Sequence, residues 1–270
     1  MKPFVLVRGG GDIASGIIYR LRRSGYPVAV SEIAVPTMIR RKVCYGSAVH
    51  KGEMILERLT ARHVVLDAVS SVMAEGVIPV LTEPYETLLE ALKPDVVVDA
   101  ILAKRNLGTS VDDADFVVAA GPGFTAGEDV DVVVETKRGH TLGRCIYEGA
   151  AIPNTGVPGN VGGYTTERVM HAPTAGLFTA RRHIGERVEA GETVGFVEET
   201  PVVSQIGGVL RGILASGIIV PVGMKLADVD ARCDESACYT ISDKSLAVAG
   251  GVMEAVGAWE YGGRSERNRL

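Results

Sequence analysis

The feature that most constrains the fold lies at the N-terminus, where the glycine-rich loop RGGGD separates two apolar segments. Residues 4–7 read FVLV, which is typical of a short buried strand. After the loop, apolar side chains recur at helical spacing: Ile13, Ile17, Ile18 and Leu21. Gly25 ends this segment, and a second apolar run follows from Pro27 to Val30. A strand, a loop, a helix and a strand in this order predict a parallel crossover, and therefore an α/β fold.

The same alternation continues along the first part of the chain. LDAVSSVMAEG and YETLLEALKP are typical of helices, whereas VIPVL, DVVVDA, DFVVAAGPG and DVDVVVETKRG are typical of buried strands. Strands that alternate with helices favour a Rossmann-like, doubly wound parallel sheet. We assign residues 1–165 to this nucleotide- or cofactor-binding domain, which ends in the glycine- and proline-rich stretch AAIPNTGVPGNVGGY.

A repeat at a fixed offset of 32 residues marks the next part of the chain. It pairs Gly176, Gly185, Val188, Gly191 and Val194 with Gly208, Gly217, Val220, Gly223 and Leu226. Two such units predict a small β hammerhead barrel over residues 168–230, similar to biotinyl and lipoyl carrier domains. The joining segment, Glu198 to Pro201, contains no lysine, so we expect a structural barrel and no swinging arm. In residues 231–270, Ser242 is the predicted N-cap of a closing helix that packs back on the first domain.

The composition argues against several classes of partner and site. The formal net charge is −5 and aromatic residues make up 5% of the chain, so neither nucleic acid nor a membrane is an expected partner. The N-terminal apolar run is too short for a signal peptide, and four scattered cysteines do not suggest a disulfide framework. We therefore expect a cytoplasmic protein, with self-association left open. Cys233 and Cys238 have no second pair of ligands close in sequence, so no metal site is predicted.

The N-terminal loop fits the pattern G-x-G-x-x-A between a strand and a helix. Its predicted cofactor-binding residues are Gly9, Gly10, Gly11, Asp12 and Ala14. Backbone N–H groups of the glycines would contact a phosphate at the helix N-terminus, and Glu32, at the end of the next strand, would accept from a ribose hydroxyl. The alternative is a tight turn, because Asp12 satisfies the helix dipole by itself and competes with a phosphate.

A second glycine loop, GPGFTAG, follows a later strand. Its predicted cofactor-binding residues, together with a basic segment close behind it, are Gly121, Gly123, Phe124, Thr125, Arg138, His140 and Arg144. Loops at the carboxyl ends of parallel strands are where α/β sheets bind ligands. The alternative for the basic segment is a solvated turn. Asp99, at another strand end, is a candidate catalytic residue with Lys104, and a structural ion pair is the alternative.

Five separated blocks are similar to one known family: RGGGDIASGIIYRLRRSGYPVAVSEIAVPTMIRR, DAILAKRN, GPGFTAGEDVDVVVETKRGHTLGR, PNTGVPG and TISDKSLAVAGGVMEA. They resemble the accessory proteins of selenium-dependent molybdenum hydroxylases, and the Rossmann-like part is similar to xanthine dehydrogenase accessory proteins. The resemblance implies a maturation factor that binds the molybdenum cofactor, molybdopterin or its cytosine dinucleotide, and serves a molybdenum hydroxylase client. The alternatives are an NAD-dependent oxidoreductase, with NAD as cofactor, and a nucleotide-binding scaffold without catalysis.

The resemblance also singles out one cysteine. Cys238 lies in a block that matches the family, directly before the closing helix. A protein that handles sulfur or selenium needs a nucleophilic thiolate, so we expect an accessible thiol whose pKa is lowered by nearby helix ends. The alternative is a small buried side chain that only packs.

Overall fold

The computed structural model describes residues 2–262, and the chain divides into two compact units. Within the described residues, unit 1 comprises residues 2–36, 44–154 and 241–262. Unit 2 comprises residues 37–43 and 155–240. The glycine loops and the last helix therefore belong to unit 1, and the repeat belongs to unit 2.

The strands of unit 1 are short, and most of the central ones are completely buried. They are β1 (Val5–Arg8), β2 (Val28–Ser31), β3 (Glu53–Leu56), β4 (Leu59–His63), β5 (Ile78–Leu81), β6 (Val96–Asp99), β7 (Phe116–Ala120), β8 (Thr125–Ala126), β9 (Val132–Val134), β10 (Cys145–Ile146) and β11 (Gly149–Ala150). In the described residues, nine of them form one sheet in the order β10-β9-β7-β6-β1-β2-β5-β4-β3. Neighbours from β9 to β4 run parallel, whereas β10 and β3 pair antiparallel at the two edges.

The predicted fold class, a Rossmann-like doubly wound parallel sheet followed by a hammerhead barrel, is wrong. The sheet of unit 1 is broad and mixed, because each end of its parallel centre is extended by an antiparallel strand. One of these extensions is the β3–β4 hairpin, whose two turn residues, Glu57 and Arg58, both have positive φ angles. Turns of this kind usually carry asparagine or glycine, so nothing in the sequence marks this hairpin.

The helices also belong to unit 1. They are α1 (Asp12–Arg23), α2 (Ala48–Lys51), α3 (Val69–Ala74), α4 (Tyr85–Leu92) and α5 (Asp243–Tyr261). Ser242 caps α5 as predicted, since its side chain accepts a hydrogen bond from the backbone N–H of Ser245. α1 and α5 approach each other closely at Gly16, where an added Cβ would lie 2.7 Å from the carbonyl oxygen of Ser245. This glycine of the RGGGDIASG stretch therefore serves helix packing.

The strands of unit 2 form two separate sheets. They are β12 (Val169–His171), β13 (Gly176–Ala180), β14 (Arg187–Val188), β15 (Thr193–Val197), β16 (Thr200–Val203), β17 (Gly208–Ile213), β18 (Ile218–Val220) and β19 (Lys225–Asp230). Among the described residues, each sheet has four strands, in the orders β12-β19-β17-β14 and β16-β15-β13-β18. The single small barrel that the sequence predicts is replaced by these two sheets around a shared apolar core.

The repeat itself is confirmed in the backbone of unit 2. Its glycines have positive φ angles in matched pairs: +145° and +158° at Gly176 and Gly208, +100° and +88° at Gly185 and Gly217, and +87° and +77° at Gly191 and Gly223. The strand pairing is reciprocal, because β14 of the first half pairs with β17 and β18 of the second half pairs with β13. Each half therefore completes the sheet of the other.

Candidate functional site

The carboxyl ends of the central strands bring the predicted site residues of unit 1 to one edge of the sheet. Arg8, the last residue of β1, is in register with Ser31 of β2 and Asp99 of β6. Asp99 is in turn in register with Ala119 of β7. The loops that follow these strands therefore start side by side, which is where parallel sheets commonly bind ligands.

Two of the three loop glycines contact other parts of the protein. The N–H of Gly9 donates to the carbonyl oxygen of Ser31 at 2.7 Å. The N–H of Gly10 donates to the Glu32 carboxylate at 2.9 Å, and an added Cβ on Gly10 would lie 2.6 Å from Cα of Gly46. Both N–H groups are thus engaged within the protein, so the expectation that they contact a phosphate is wrong. The close approach at Gly10 is to the backbone of Gly46.

Gly11 differs from its two neighbours. It is the N-cap of α1, with φ −69° and ψ −172°, an extended conformation that any residue adopts. Beyond its own neighbours in the chain, no described atom lies within 4 Å of the position that its Cβ would take. The first N–H groups of a helix have no intrahelical acceptor, and Gly11, as the N-cap, has no side chain with which to cap them. Neither backbone conformation nor packing therefore requires glycine at this position.

Glu32 holds the glycine loop through both oxygens of its carboxylate. One carboxylate oxygen accepts from the N–H of Gly10 and the other accepts from the N–H of Ile33, at 2.9 and 2.8 Å. Burial raises the pKa of Glu32, while these two hydrogen bonds oppose the shift. Ala14, another predicted contact, is completely buried in the first turns of α1. Both residues position the start of the helix.

Two lysines and an aspartate lie together near the start of α1. Burial lowers the pKa of Lys104, the Lys244 ammonium lowers it further, and the Asp12 carboxylate opposes both effects. Burial likewise lowers the pKa of Lys244, with Asp12 again opposing. Lys104 is nevertheless exposed, and Lys244 is half-buried. We call Asp12, Lys104 and Lys244 the lysine pair site.

Asp99 is paired with Arg8, whereas the sequence suggested Lys104. The carboxylate lies 3.7 Å from Nη1 of Arg8 and accepts from the Thr109 hydroxyl at 2.6 Å and from the N–H of Ile101 at 3.1 Å. Burial raises the pKa of Asp99, and these donors oppose the shift. Arg8 also donates to the carbonyl oxygen of Leu107 at 2.8 Å. Asp99 and Arg8 therefore fix the loop of residues 100–109, which carries Lys104.

The second glycine loop packs against that same segment. An added Cβ would lie 2.7 Å from Oγ1 of Thr136 at Gly121, and 2.6 Å from Cα of Arg105 at Gly123. Phe124 is buried in the core of unit 1, and the N–H of Thr125 donates to Asp129 at 2.8 Å. These glycines are required by the contacts of the loop with neighbouring backbone and side chains.

The basic segment behind this loop is tied to the first turn of α5. Arg138 makes two hydrogen bonds of 2.7 Å to the carboxylate of Asp243, in a bidentate pair. His140 and Arg144 are exposed. Lys244 follows Asp243 directly, so this pair helps to position the lysine. Sequence reasoning missed Lys244, although the predicted N-cap at Ser242 places it in the first turn of a helix.

Cys238 is buried in the core of unit 2. Its side chain is 1% exposed and packs among apolar residues, with Sγ 3.9 Å from the carbonyl oxygen of Leu210. Burial raises the pKa of the thiol, and the nearby Arg211 and Arg40 oppose the shift. The expected accessible thiol of lowered pKa is therefore wrong, because desolvation disfavours the thiolate.

None of the helices formed by residues 2–262 combines the length and the apolar character needed to cross a bilayer.

Comparison with known proteins gives a relative of undefined activity. The chain is 46% identical over 264 residues to the uncharacterized protein YqeB of Escherichia coli (strain K12), a match that covers 95% of this chain and 49% of YqeB. The chain thus spans about half the length of the curated relative it matches. No family model matches the sequence.

Some solved structures are similar over most of the chain but at low scores. The product-bound ectoine utilization protein EutE (DoeB) of Ruegeria pomeroyi has 10% identity and a TM-score of 0.26, with 84% of this chain and 85% of that chain covered. A succinylglutamate desuccinylase/aspartoacylase of Rhodobacter sphaeroides has 16% identity and a TM-score of 0.26, with the same coverage. An aspartoacylase family protein of Mesorhizobium loti has 13% identity and a TM-score of 0.27, with 85% of each chain covered. At these scores, no activity is transferred to this chain.

These comparisons correct the family and the function that the sequence suggested. The matched relative is described as an uncharacterized protein, not as an accessory protein of molybdenum hydroxylases. The expected membership in the selenium-dependent accessory family is therefore wrong. The expected maturation of a molybdenum hydroxylase is wrong as well, and selenium and molybdenum have no support.

Proposed function

We propose that unit 1 binds a small ligand through a phosphate group, held at the N-terminus of α1 between Gly11 and the lysine pair site. The observation that carries this proposal is the open space at Gly11, the one glycine of the GGG triplet that neither conformation nor packing explains. The N-terminus of a helix combines N–H donors with positive potential and favours an anion.

The charges of the lysine pair site favour the same ligand. Lys104 and Lys244 bring two positive charges to this site, Asp12 raises the pKa of both lysines, and Glu135 and Asp243 also raise that of Lys244. A bound phosphate would add negative charge beside both ammonium groups and raise the pKa of both lysines toward the ordinary value. The charge of Asp12 weakens binding at the helix end itself, so the two lysines are needed.

The surrounding contacts keep this arrangement rigid before a ligand arrives. Glu32 and Gly46 hold Gly10, and the pair of Asp99 and Arg8 holds the loop of Lys104. A preformed site loses little conformational entropy on binding.

We place this function in the cytoplasm, since no disulfide joins the four cysteines, all of which lie within the described residues.

Calorimetric titration of the full chain with inorganic phosphate tests the proposal. We expect Gly11→Val to raise the dissociation constant for phosphate at least tenfold, because the valine side chain fills the space of the anion. Lys244→Met should raise the dissociation constant by a similar factor. Gly257→Val on α5 is the matched control, since its added side chain also meets no described atom. Equal phosphate affinity in the unchanged protein, Gly11→Val and Gly257→Val would reject the proposal.

A further inference from the structure

The two sheets of unit 2 differ in how their outer faces are covered. In the sheet β12-β19-β17-β14, nearly all residues of β17 and β19 are buried, whichever face they point to. The segment Thr37–Val43 packs there, since the N–H of Ile213 donates to the carbonyl oxygen of Ile39 at 2.9 Å. Along β13 and β18 of the other sheet, buried and exposed residues alternate. This alternation is typical of a sheet with one face open to solvent.

The open side of that sheet carries adjoining apolar side chains. Leu177 of β13 is 44% exposed and lies in register with Ile219 of β18, which is 80% exposed. Residues in register point to the same side of a sheet. Across β13, Phe196 of β15 is in register with Thr179 and with a proline of β16. We call these residues, together with one valine of β16, the apolar face: Leu177, Thr179, Phe196, Pro201, Val203 and Ile219. Adjoining exposed apolar residues of this kind are typical of a protein interface.

Charged residues of opposite sign lie at the two ends of the apolar face. At one end, directly after β13, Arg181 is exposed, and its guanidinium carbon lies 5.5 Å from the centre of the Phe196 ring. At the other end, the turn between β15 and β16 consists of Glu198 and Glu199, both exposed. Glu198 accepts a hydrogen bond from the N–H of Leu177 at 2.6 Å, so this turn lies beside the start of β13.

These charges are not used in ion pairs within the described part of the chain. Neither Arg181 nor Glu199 forms a salt bridge there, whereas the adjacent Arg182 pairs with Glu186 and Glu192. An arginine that lies against an aromatic ring is typical of protein interfaces, where both residue types are enriched. The positive end and the negative end of the apolar face are therefore both available to a partner.

We propose that the apolar face is the interface between two copies of this chain. A surface with charges of one sign selects a partner of the other sign, but this face carries both signs at opposite ends and so complements itself. A two-fold axis that lies in the interface and crosses β13 at Thr179 reverses the strand direction in the second copy. Arg181 of one copy then lies opposite Glu198 and Glu199 of the other, and this contact occurs twice, with the apolar residues between.

Analytical ultracentrifugation of the full chain over a range of concentrations tests the proposal. We expect an equilibrium between monomer and dimer. Ile219→Asp should raise the dissociation constant of the dimer at least about tenfold, because it buries a carboxylate from each copy. Ile55→Asp is the matched control, since Ile55 of β3 is an apolar residue of unit 1 that is 65% exposed. A chain that is monomeric at every concentration, or a dimer that both substitutions weaken equally, would overturn the proposal.

Charge reversal tests whether the partner is a second copy in the proposed orientation. In a dimer of identical chains, Arg181→Glu and Glu199→Arg each bring like charges together twice, so each variant alone should dimerise more weakly than the unchanged chain. An equimolar mixture of the two variants restores two contacts between opposite charges and should dimerise as strongly as the unchanged chain. A mixture that associates no better than either folded variant alone would reject the two-fold dimer.

Discussion

The glycine loop of unit 1 and the repeat of unit 2 use glycine for different reasons. In the repeat, all six matched glycines have positive φ angles, in pairs that share the same backbone conformation. In the loop, Gly9 has a positive φ of +99°, Gly10 is confined by Gly46, and Gly11 has neither constraint. Only where backbone conformation and packing both fail to explain a glycine does the space of a ligand become the explanation.

This comparison limits what a glycine-rich motif can establish. The G-x-G-x-x-A pattern and the GPGFTAG loop both suggested phosphate contacts, yet Gly10, Gly121 and Gly123 are required by contacts within unit 1. The space around each glycine shows whether contacts within the protein require it or a ligand could lie beside it. The spacing of glycines in the sequence does not make this distinction.

The largest effect is expected for Gly10→Ala in unit 1. Its Cβ would lie 2.6 Å from Cα of Gly46, and the colliding atom is backbone that cannot rotate away. Forced overpacking of this kind costs about 3 kcal/mol of stability. Urea denaturation of the full chain measures the loss. A midpoint equal to that of the unchanged protein would show that the loop is not confined as described.

A smaller loss is expected for the repeat glycines of unit 2. Gly191 and Gly223 are a matched pair with φ angles of +87° and +77°, and beyond its chain neighbours neither added Cβ would meet a described atom within 4 Å. Alanine there pays only the cost of the left-handed conformation, about 1–2 kcal/mol. Hydrogen exchange of the strand amides of unit 2 measures this loss of stability. The two substitutions should give equal losses, and a clear inequality would break the equivalence of the halves.

Gly11→Ala should change stability least of the glycine substitutions. Alanine adopts the backbone conformation of Gly11 without strain and meets no described atom, so only a small loss of N-cap preference remains, below about 1 kcal/mol. Phosphate binding should nevertheless weaken in this variant. A loss of stability as large as that of Gly10→Ala would contradict the distinction between the two glycines.

The pH dependence of stability sharpens the comparison at the lysine pair site. The pKa of Lys244 in the folded protein is lowered from 10.5, so in the interval between the two values the unfolded chain binds more protons. Stability should therefore rise with pH in this interval, and Lys244→Met should remove part of the rise. Phosphate affinity should fall in the same interval as the ammonium is lost. Thermal unfolding between pH 8 and 10.5, compared for the two proteins, checks the sign; an identical slope would contradict it.

The local elements of unit 1 were predictable where the pattern was regular. The apolar runs gave β1, β2, β5, β6 and β7, and helical spacing gave α1 and α4. The β3–β4 hairpin was missed because Glu57 and Arg58 occupy a turn with positive φ angles without the usual residues. That hairpin and the antiparallel β10 make the sheet mixed, so the predicted fold class was wrong although many elements were present.

The candidate site was only partly predictable, for reasons of long-range packing. Gly11, Asp12 and Lys104 were named, but Lys104 was assigned to Asp99, which pairs with Arg8. The lysine that joins the site is Lys244, 140 residues later in the sequence, and it arrives there because α5 packs on α1. Similarly, the burial of Cys238 follows from the core of unit 2, which no local pattern around this cysteine reveals.

The most direct test of the central claim is the amide signal of Gly11 in a phosphate titration followed by NMR. The account predicts that the signals of Gly11 and the first residues of α1 move in a saturable way, while the amide of Gly10, which is bonded to Glu32, moves little. Lys244→Met should weaken the apparent affinity at least tenfold. Signals of Gly11 that stay fixed at saturating phosphate, or that move equally in Lys244→Met, would contradict the claim that this helix end binds a phosphate group.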